Sequence, residues 1–598
     1  VVVTARDGHA VHGAYPNAIA ASPDGSKLYV AEAGLNSVAV LDITMPDLPK
    51  LLGRIPAGWY PAAVAVSPNG HYLYIANAKG IGEDINPAIH TAGGTPPPSG
   101  IGSDSRVDSN YIFGSLQQVD LTNLALDNRK VLANNYTMQT AVDRSVVPLG
   151  GAPSAKIAHV IFILQENKTF NSMLGNLNTP FASLNYNNQD GSVYNNIQYT
   201  GVSLNTQALA QTFATAANYY SDSEESDAGH QFAASGTATD YTEKTLLVKS
   251  GRGLLVNKNF EPEDYPEAGY LFNNAARNGV SFKDYGAMIR IAGTDTGSST
   301  PTTLNDPPSG NLGYPQMQPD GQHVTNPLVN QGDVTSPTQG FGQSYFMNMP
   351  VLAVLGARNQ NGEPHIDSNY PGYNFNISDQ RRAQEFIQDF DRMVAGNTLP
   401  RFIYLYLPND HTGGVQAPNA STVGSSAYQQ VADGDVALGL VVRHIMRSPI
   451  YYNAATGTGA AILMTYDDAQ STLDHIHPHR TPLTVVSPYA RPGIATRHYT
   501  TASVVKTEEL LLGLPPNNLG DLFATDLRDM FQPAYNKLTA ANVKWALGAS
   551  APSYTATAEG RRIWQLVKNL DLSGPDRDSR RLGLLARLSF EAAELDRA

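Results

Sequence analysis

Four apolar runs of this 598-residue chain each abut a cluster of carboxylates, amides or imidazoles. AHVIFILQ (158–165) runs into Glu166-Asn167-Lys168-Thr169, and FIYLYLP (402–408) into Asn409-Asp410-His411. AAILMTY (460–466) ends in Asp467-Asp468, while Asp474-His475-Ile476-His477-Pro478-His479 precedes TPLTVVSPYA (481–490). Carboxylate with imidazole is a ligand set for Zn²⁺, Mn²⁺ or Fe, and Mg²⁺ or Ca²⁺ are favoured where oxygens dominate. One buried carboxylate is usually structural. Acids gathered at several strand ends are another matter, because unpaired buried charges cost several kcal/mol each.

The elements that must position these groups are legible from the same runs. Near-continuous apolar stretches read as strands buried on both faces, as in a parallel sheet. Open α/β sheets carry their ligand sites beyond the strand C-termini. RRAQEFIQDFDRMVAG (381–396) and DVALGLVVRHIM (435–446) read as helices between the strands. The pattern predicts an α/β domain over 156–550 with its acids on one rim. Residues 291–345, rich in Pro, Gly, Asn and Thr, read as a surface insertion, and 551–598 as a tail of amphipathic helices. No G-x-x-x-x-G-K-[ST] or G-x-S-x-G is present.

Composition narrows the classes further. The charge is −13, from 53 acidic and 40 basic residues, and charged residues make up only 16%. An acidic chain with no lysine–arginine run is a poor ligand for a phosphate backbone, so no nucleic-acid binding is expected. The absence of cysteine excludes disulfides, thiolate zinc sites and cysteine nucleophiles. No stretch approaches 18 consecutive apolar residues, so no transmembrane segment is expected.

The N-terminal region repeats itself. Tyr15-Pro16, SPDG (22–25) and LYVA (28–31) recur as Tyr60-Pro61, SPNG (67–70) and LYIA (73–76), always displaced by 45 residues. That period suits a propeller blade. NSVAVLD (36–42) supplies the next strand of the first repeat, and GSLQQVDL (114–121) is its counterpart beyond an insertion at about 81–112. These repeats resemble YVTN-type β-propeller blades over residues 1–125, followed by a linker at 126–155. Two or three blades do not close a propeller, which needs roughly four to eight. The expectation is that another chain, an N-terminal fragment or a homo-oligomer completes it.

HVIFILQENKTFNSMLG, AARNGVSFKDYG, LPNDHTGG and YDDAQSTLDHIHPHRTPLTVVSPYARPG, in that order, resemble the phospholipase C/acid phosphatase-type phosphoesterases of the alkaline phosphatase superfamily. The resemblance implies a multidomain chain: a partial all-β propeller, then an α/β/α sandwich of alkaline phosphatase type. It also implies a metal-dependent phosphoesterase with one or two divalent ions (Zn, Mn, Ca or Mg), and an exported location. Carried onto this sequence, Glu166, Asp467, Asp468 and His479 are metal ligands, and Asp410 and His411 complete the set. The superfamily often spaces that last pair as D-x-x-x-H. Here the two are adjacent, which leaves one ion or two open. His475 and His477 are spare candidates.

Asn167 would face the phosphoryl oxygens, and His230 would help stabilise them. The nucleophile should lie within SDSEESDAGHQFAASGTATDYTEK (221–244), where Ser226 fits best and Ser223, Ser235 and Thr237 are alternatives. The implied reaction is phosphomonoester hydrolysis through a phosphoseryl intermediate. Phosphodiester or phospholipid cleavage is close behind, and a non-catalytic surface-binding scaffold is the rival class.

Overall fold

The structure is a computed structural model. It describes residues 13–80, 114–124, 126–135, 145–179, 199–245, 266–287, 379–411, 427–469 and 474–547. Short pieces at 3–4, 10–11, 182, 185–187, 193–195, 359, 362–367 and 370 are also described. The insertion expected at 291–345 and the tail expected at 551–598 lie outside these residues.

The repeat seen in the sequence is a repeat of backbone geometry. Tyr15 and Tyr60 are both left-handed, at φ 43° and 55°, and a bulge follows each, at Pro16/Ala18 and Pro61/Ala63. Strands β1 (Pro16–Ala21), β2 (Lys27–Glu32), β3 (Ser37–Asp42) and β4 (Lys50–Pro56) form one antiparallel sheet. Strands β5 (Pro61–Val66), β6 (Tyr72–Asn77) and β7 (Ser115–Asp120) form a second. β7 pairs with β6 from Ser115–Asn77 to Asp120–Tyr72, as β3 pairs with β2 from Ser37–Glu32 to Asp42–Lys27. The segment at 114–121 is therefore the counterpart that the repeat predicts.

Both SPDG-type turns end on a glycine at positive φ, which is why glycine stands there. The two blades share an apolar core of Tyr29, Val38, Val40 and Ile55 with Leu73 and Ile75. Helix α1 (Asn128–Asn135) lies within the residues expected to form a linker. Asp127 Oδ1 accepts from Lys130 N at 2.9 Å in the manner of an N-cap, and Arg54 N of β4 donates to Asn128 Oδ1 at 2.8 Å.

The large sheet holds β8 (Ile157–Gln165), β9 (Ala214–Ala216), β10 (Phe282–Tyr285), β11 (Phe402–Leu407), β12 (Thr458–Tyr466), β13 (Leu483–Val486) and β14 (Gly493–Ala495). Their order is β10-β11-β8-β12-β13-β9-β14, with Tyr452–Asn453 paired onto β12. β8 is parallel to β11 and to β12, so three C-terminal ends share one edge. β13 is antiparallel to both of its neighbours, so its N-terminal end joins that edge. This is why the Asp/His segment at 474–479 precedes its strand while the other clusters follow theirs.

The helices that frame the sheet are α2 (Phe170–Leu174), α3 (Ser226–Ser235), α4 (Asp240–Thr245), α5 (Leu271–Arg277), α6 (Asp379–Gly396), α7 (Ala427–Arg447) and α8 (Thr501–Leu512). Strand alternation assigns two of them to opposite faces. Phe282, Phe402 and Tyr404 meet Phe272 of α5, with ring centroids 5.4–6.3 Å apart. Lys283 and Tyr285, one residue out of phase with Phe282, reach Asp389 of α6 instead. α7 packs beside α6, and α3 beside α8. The result is the helix–sheet–helix arrangement that the resemblance implies. Among the described residues, no helix is long and apolar enough to cross a membrane.

Candidate metal centre and active site

β8 ends on Gln165, and the chain then turns sharply through Asn167, whose left-handed backbone (φ 53°) suits an asparagine. Thr169 caps the short α2, accepting from Ser172 N. The turn leaves Glu166, Asn167 and Lys168 buried at the rim. From β12, Asp467 and Asp468 arrive beside them. Asn167 N donates to Asp467 Oδ1 at 3.0 Å, and Asn167 Nδ2 to Asp468 Oδ1 at 3.0 Å.

Helix α3 brings the hydroxyl. Glu225 caps it by accepting from Ala228 N, so Ser226 opens its first turn. Ser226 Oγ donates to Asp468 Oδ2 at 2.9 Å, lies 3.3 Å from Glu166 Oε2, and accepts from Asn167 Nδ2 at 2.9 Å. His230, one helical turn on, sets Nε2 at 2.9 Å from Glu166 Oε1 and 3.8 Å from Asp467 Oδ2. The helix end comes this close to β12 because residue 229 is glycine. A Cβ there would stand 2.6 Å from the Asp467 carbonyl oxygen.

Glu166, His230 and Asp467 offer ligand atoms that all lie within 4.8 Å of one another, and all three residues are buried. Asp467 Oδ2 is buried without a hydrogen-bond partner. An oxygen in that state is costly unless a cation meets it. Two carboxylates and an imidazole suit Zn²⁺, Mn²⁺ or Fe, with Asp468 and Ser226 as further oxygens at hand. The residues present therefore fit a divalent ion.

The other residues singled out in the sequence are placed differently. Asp410 is buried, but its Oδ2 accepts from Gln165 Nε2 at 3.0 Å, and its carbonyl takes the Lys168 ammonium. Burial pushes the Asp410 carboxyl well above its usual range, against the pull of Lys168. Lys168 is drawn down to about 8 by burial, while Asp410, Asp468, Glu166 and Asp467 oppose that shift. The lysine thus adds positive charge between Asp410 and the Glu166 group. His411 is buried in the turn after β11. His479 Nδ1 lies 2.9 Å from the Ser221 carbonyl. Neither histidine belongs to the three-residue group. His475 is within hydrogen-bond distance of Asn171, and the His477 ring lies edge-on to Tyr220.

Among the alternative nucleophiles, Ser223 Oγ donates to the Asp467 carbonyl at 3.1 Å. Ser235 sits at the far end of α3, and Thr237 beyond it bonds Tyr15 of the first blade. Tyr406 was not singled out in the sequence, yet its hydroxyl donates to Glu166 Oε1, and its ring is edge-on to His230 at 5.0 Å. Its signal was a phenol near the C-terminal end of a fully buried strand. Arg480 was also passed over. Its guanidinium pairs with Asp474 at 3.1 Å, lies 3.9 Å from the centre of the Phe170 ring, and so ties the 474–480 loop to α2.

Residues 157–515 match the model of the Phosphoesterase family, and residues 2–80 that of the Lactonase seven-bladed β-propeller. No curated protein matches the chain. A solved structure described as hydrazine synthase of Kuenenia stuttgartiensis is 33% identical over 13% of this chain, with a TM-score of 0.10. The match spans 19% of that structure's length. A protein in the alkaline phosphatase superfamily from Vibrio parahaemolyticus is 13% identical over 65% of this chain and 76% of its own, with a TM-score of 0.35. Phosphonate monoester hydrolase of Agrobacterium radiobacter is 12% identical over 63% and 79%, with a TM-score of 0.31. The family model covers more than half of the sequence, and on that ground the chain belongs to the phosphoesterase family.

Proposed function

We propose that this protein is a metal-dependent phosphoric ester hydrolase with Ser226 as nucleophile and phosphomonoesters as its substrate class. One observation carries the reading. Ser226 Oγ, Asn167 Nδ2, His230 Nε2 and the carboxylates of Glu166, Asp467 and Asp468 form a single buried network at the rim. A scaffold has no need of buried carboxylates that face one another.

Glu166, His230 and Asp467 would hold the divalent ion, with Asp468 beside them. When bound, the ion supplies positive charge that eases ionisation of a nearby hydroxyl and offsets charge on phosphoryl oxygens. Ser226 Oγ, already oriented by Asp468 Oδ2 and Asn167 Nδ2, forms the bond to phosphorus and passes its proton to Asp468 Oδ2. The bond to the leaving alcohol breaks, and the alcohol takes a proton from water. Asn167 Nδ2 would exchange its bond to Ser226 Oγ for one to a non-bridging oxygen, and Ser226, in the first turn of α3, lies at the positive end of the helix dipole. Water then cleaves the phosphoserine, releasing phosphate and restoring Ser226.

The test is elemental analysis of gently purified protein paired with turnover of p-nitrophenyl phosphate and bis-p-nitrophenyl phosphate. Stoichiometric metal is expected, with turnover lost on chelation and in Asp467→Ala, and with the monoester preferred. A preference for the diester would overturn the substrate class alone. No metal and no turnover after adding Zn²⁺, Mn²⁺, Ca²⁺ or Mg²⁺ would overturn the whole reading.

A further inference from the structure

We propose that Lys79, in the second propeller blade, is a positioning residue for Ser226 and holds the Glu224-Glu225-Ser226 turn from outside the esterase domain. The inference rests on the reading of Ser226 as nucleophile. Lys79 follows β6 in a loop fixed by backbone bonds: Ala78 N to the Tyr60 carbonyl at 2.9 Å, Lys79 N to the Trp59 carbonyl at 3.1 Å, and Trp59 N to the Gly80 carbonyl at 2.7 Å. From that fixed base the ammonium reaches Glu224 Oε1 and Glu243 Oε2, each at 2.7 Å. Both carboxylates are nearly closed to solvent, at 3% and 5% exposed.

The contact belongs to a docked surface. Tyr60 OH donates to Asp240 of α4, and Tyr15 OH donates to the Ala238 carbonyl at 2.9 Å. The two left-handed tyrosines that open the blades are therefore both spent on the segment that follows α3. Lys79 differs from them in reaching the segment that precedes α3. Burial draws its ammonium down, but Glu224 and Glu243 outweigh that and keep it firmly charged. Glu243 is pushed up to about 7 by burial, against the pull of Lys79.

Glu224 stands two residues before Ser226. On the opposite side, Ser223 Oγ holds the same turn to the Asp467 carbonyl at 3.1 Å, and Gly229 lies against that carbonyl. The nucleophile turn is thus held between a cation of the blade and the end of β12. Without the ammonium, Glu224 and Glu243 lose the cation that joins them, and the turn is free to shift and carry Ser226 with it. A misplacement of about 1 Å costs about 100-fold in rate.

The experiment is steady-state turnover of p-nitrophenyl phosphate by the metal-loaded full chain. Lys79→Met is expected to lower kcat by about 10- to 100-fold with little change in KM. Lys79→Arg is expected to recover most of kcat, because it restores the cation. Lys244→Ala, which removes the contacts to Asn17 at 2.6 Å and to Asp240 at 2.8 Å without touching the turn, is expected to keep wild-type kcat. If Lys79→Met does not fold, the triple variant Lys79→Met/Glu224→Gln/Glu243→Gln replaces the ionic trio with neutral groups and is expected to show the same kcat loss. Wild-type kcat in a folded Lys79→Met or triple variant would overturn the inference, as would Lys79→Arg being no better than Lys79→Met. Ser226→Ala separates the two claims. If it retains turnover, the nucleophile reading fails. If it is inactive while Lys79→Met has normal kcat, only the positioning role fails.

Discussion

Two groups of buried acids lie along this sheet rim, and they differ in what meets their oxygens. Asp379, Asp433 and Asp435 are met by donors. Asp433 accepts from Asp379 N at 2.7 Å, Asn409 Nδ2 at 2.6 Å and Gln380 Nε2 at 2.9 Å. Asp435 accepts from Asn205 N and Thr206 N at 2.8 Å each and from Thr206 Oγ1 at 2.7 Å. Asp379 accepts from Asn409 N at 3.0 Å and Arg382 Nη1 at 2.9 Å. Around Glu166, Asp467 and Asp468 the donors are Asn167, Ser226, His230 and the Tyr406 hydroxyl, and Asp467 Oδ2 is left without a hydrogen-bond partner. Lys168 and Asp410 stand between the two groups. The acids are equally buried on both sides, so burial does not separate the two groups; what meets their oxygens does.

The largest expected effect tests that contrast directly. Ser226→Ala and Asp467→Asn should each cut turnover by about 1,000-fold or more while the fold, followed by circular dichroism, is retained. Asp433→Asn should do the reverse, keeping most activity while urea denaturation shows a loss of about 1–3 kcal/mol from its charged hydrogen bonds. Arg480→Met should cost about 3–5 kcal/mol in the same measurement, because it strands the buried Asp474. That would mark the arginine as a support of the site and not part of its chemistry.

A smaller effect is expected from metal removal. Wild type and Asp433→Asn should both lose thermal stability on chelation, by about 2.7 kcal/mol if the ion had been present at 100 times its dissociation constant. Asp467→Asn should lose almost none. A separate effect, read against pH, concerns Glu508 of α8, whose carboxyl burial alone holds well above its usual range. The unfolded chain ionises it near its ordinary pKa, so the folded form retains a proton that the unfolded form has lost. Its contribution is therefore full below about pH 4 and declines as pH rises toward the folded pKa, by about 1.4 kcal/mol per pH unit. Glu508→Gln should flatten that slope in melts between pH 5 and pH 8. An unchanged slope would show that the carboxyl is ionised in the folded protein.

Much of the frame was legible because buried strands must be apolar. The runs at 158–165, 402–408 and 460–466 became β8, β11 and β12, and the 45-residue repeat became two blades with matched registers. Strand direction was not legible, since a run such as TPLTVV reads alike both ways; only pairing reveals that β13 is antiparallel. In the site, Glu166, Asn167, Asp467 and Asp468 were visible because they sit at the ends of those strands. His230 was read as a stabiliser of the phosphoryl group, whereas its position against Glu166 and Asp467 suits a ligand. Asp410, His411 and His479, which motif order makes ligands, stand on turns and loops whose paths the strand pattern does not set, and they lie outside the group of Glu166, His230 and Asp467. Tyr406 was hidden because a tyrosine inside FIYLYL reads as core until alternation and register bring its hydroxyl to Glu166.

Gly229 has a consequence of its own. The helix that carries Ser226 rests, main chain on main chain, against the carbonyl of Asp467 just beyond β12, where even a methyl group would meet oxygen at 2.6 Å. A stop of this kind acts like a machined shoulder. It sets how deep the helix seats, and it has no rotamer to take up slack. The position of the Ser226 hydroxyl is then gauged by a residue with no side chain, and any wedge placed there would shift the hydroxyl and the His230 imidazole together.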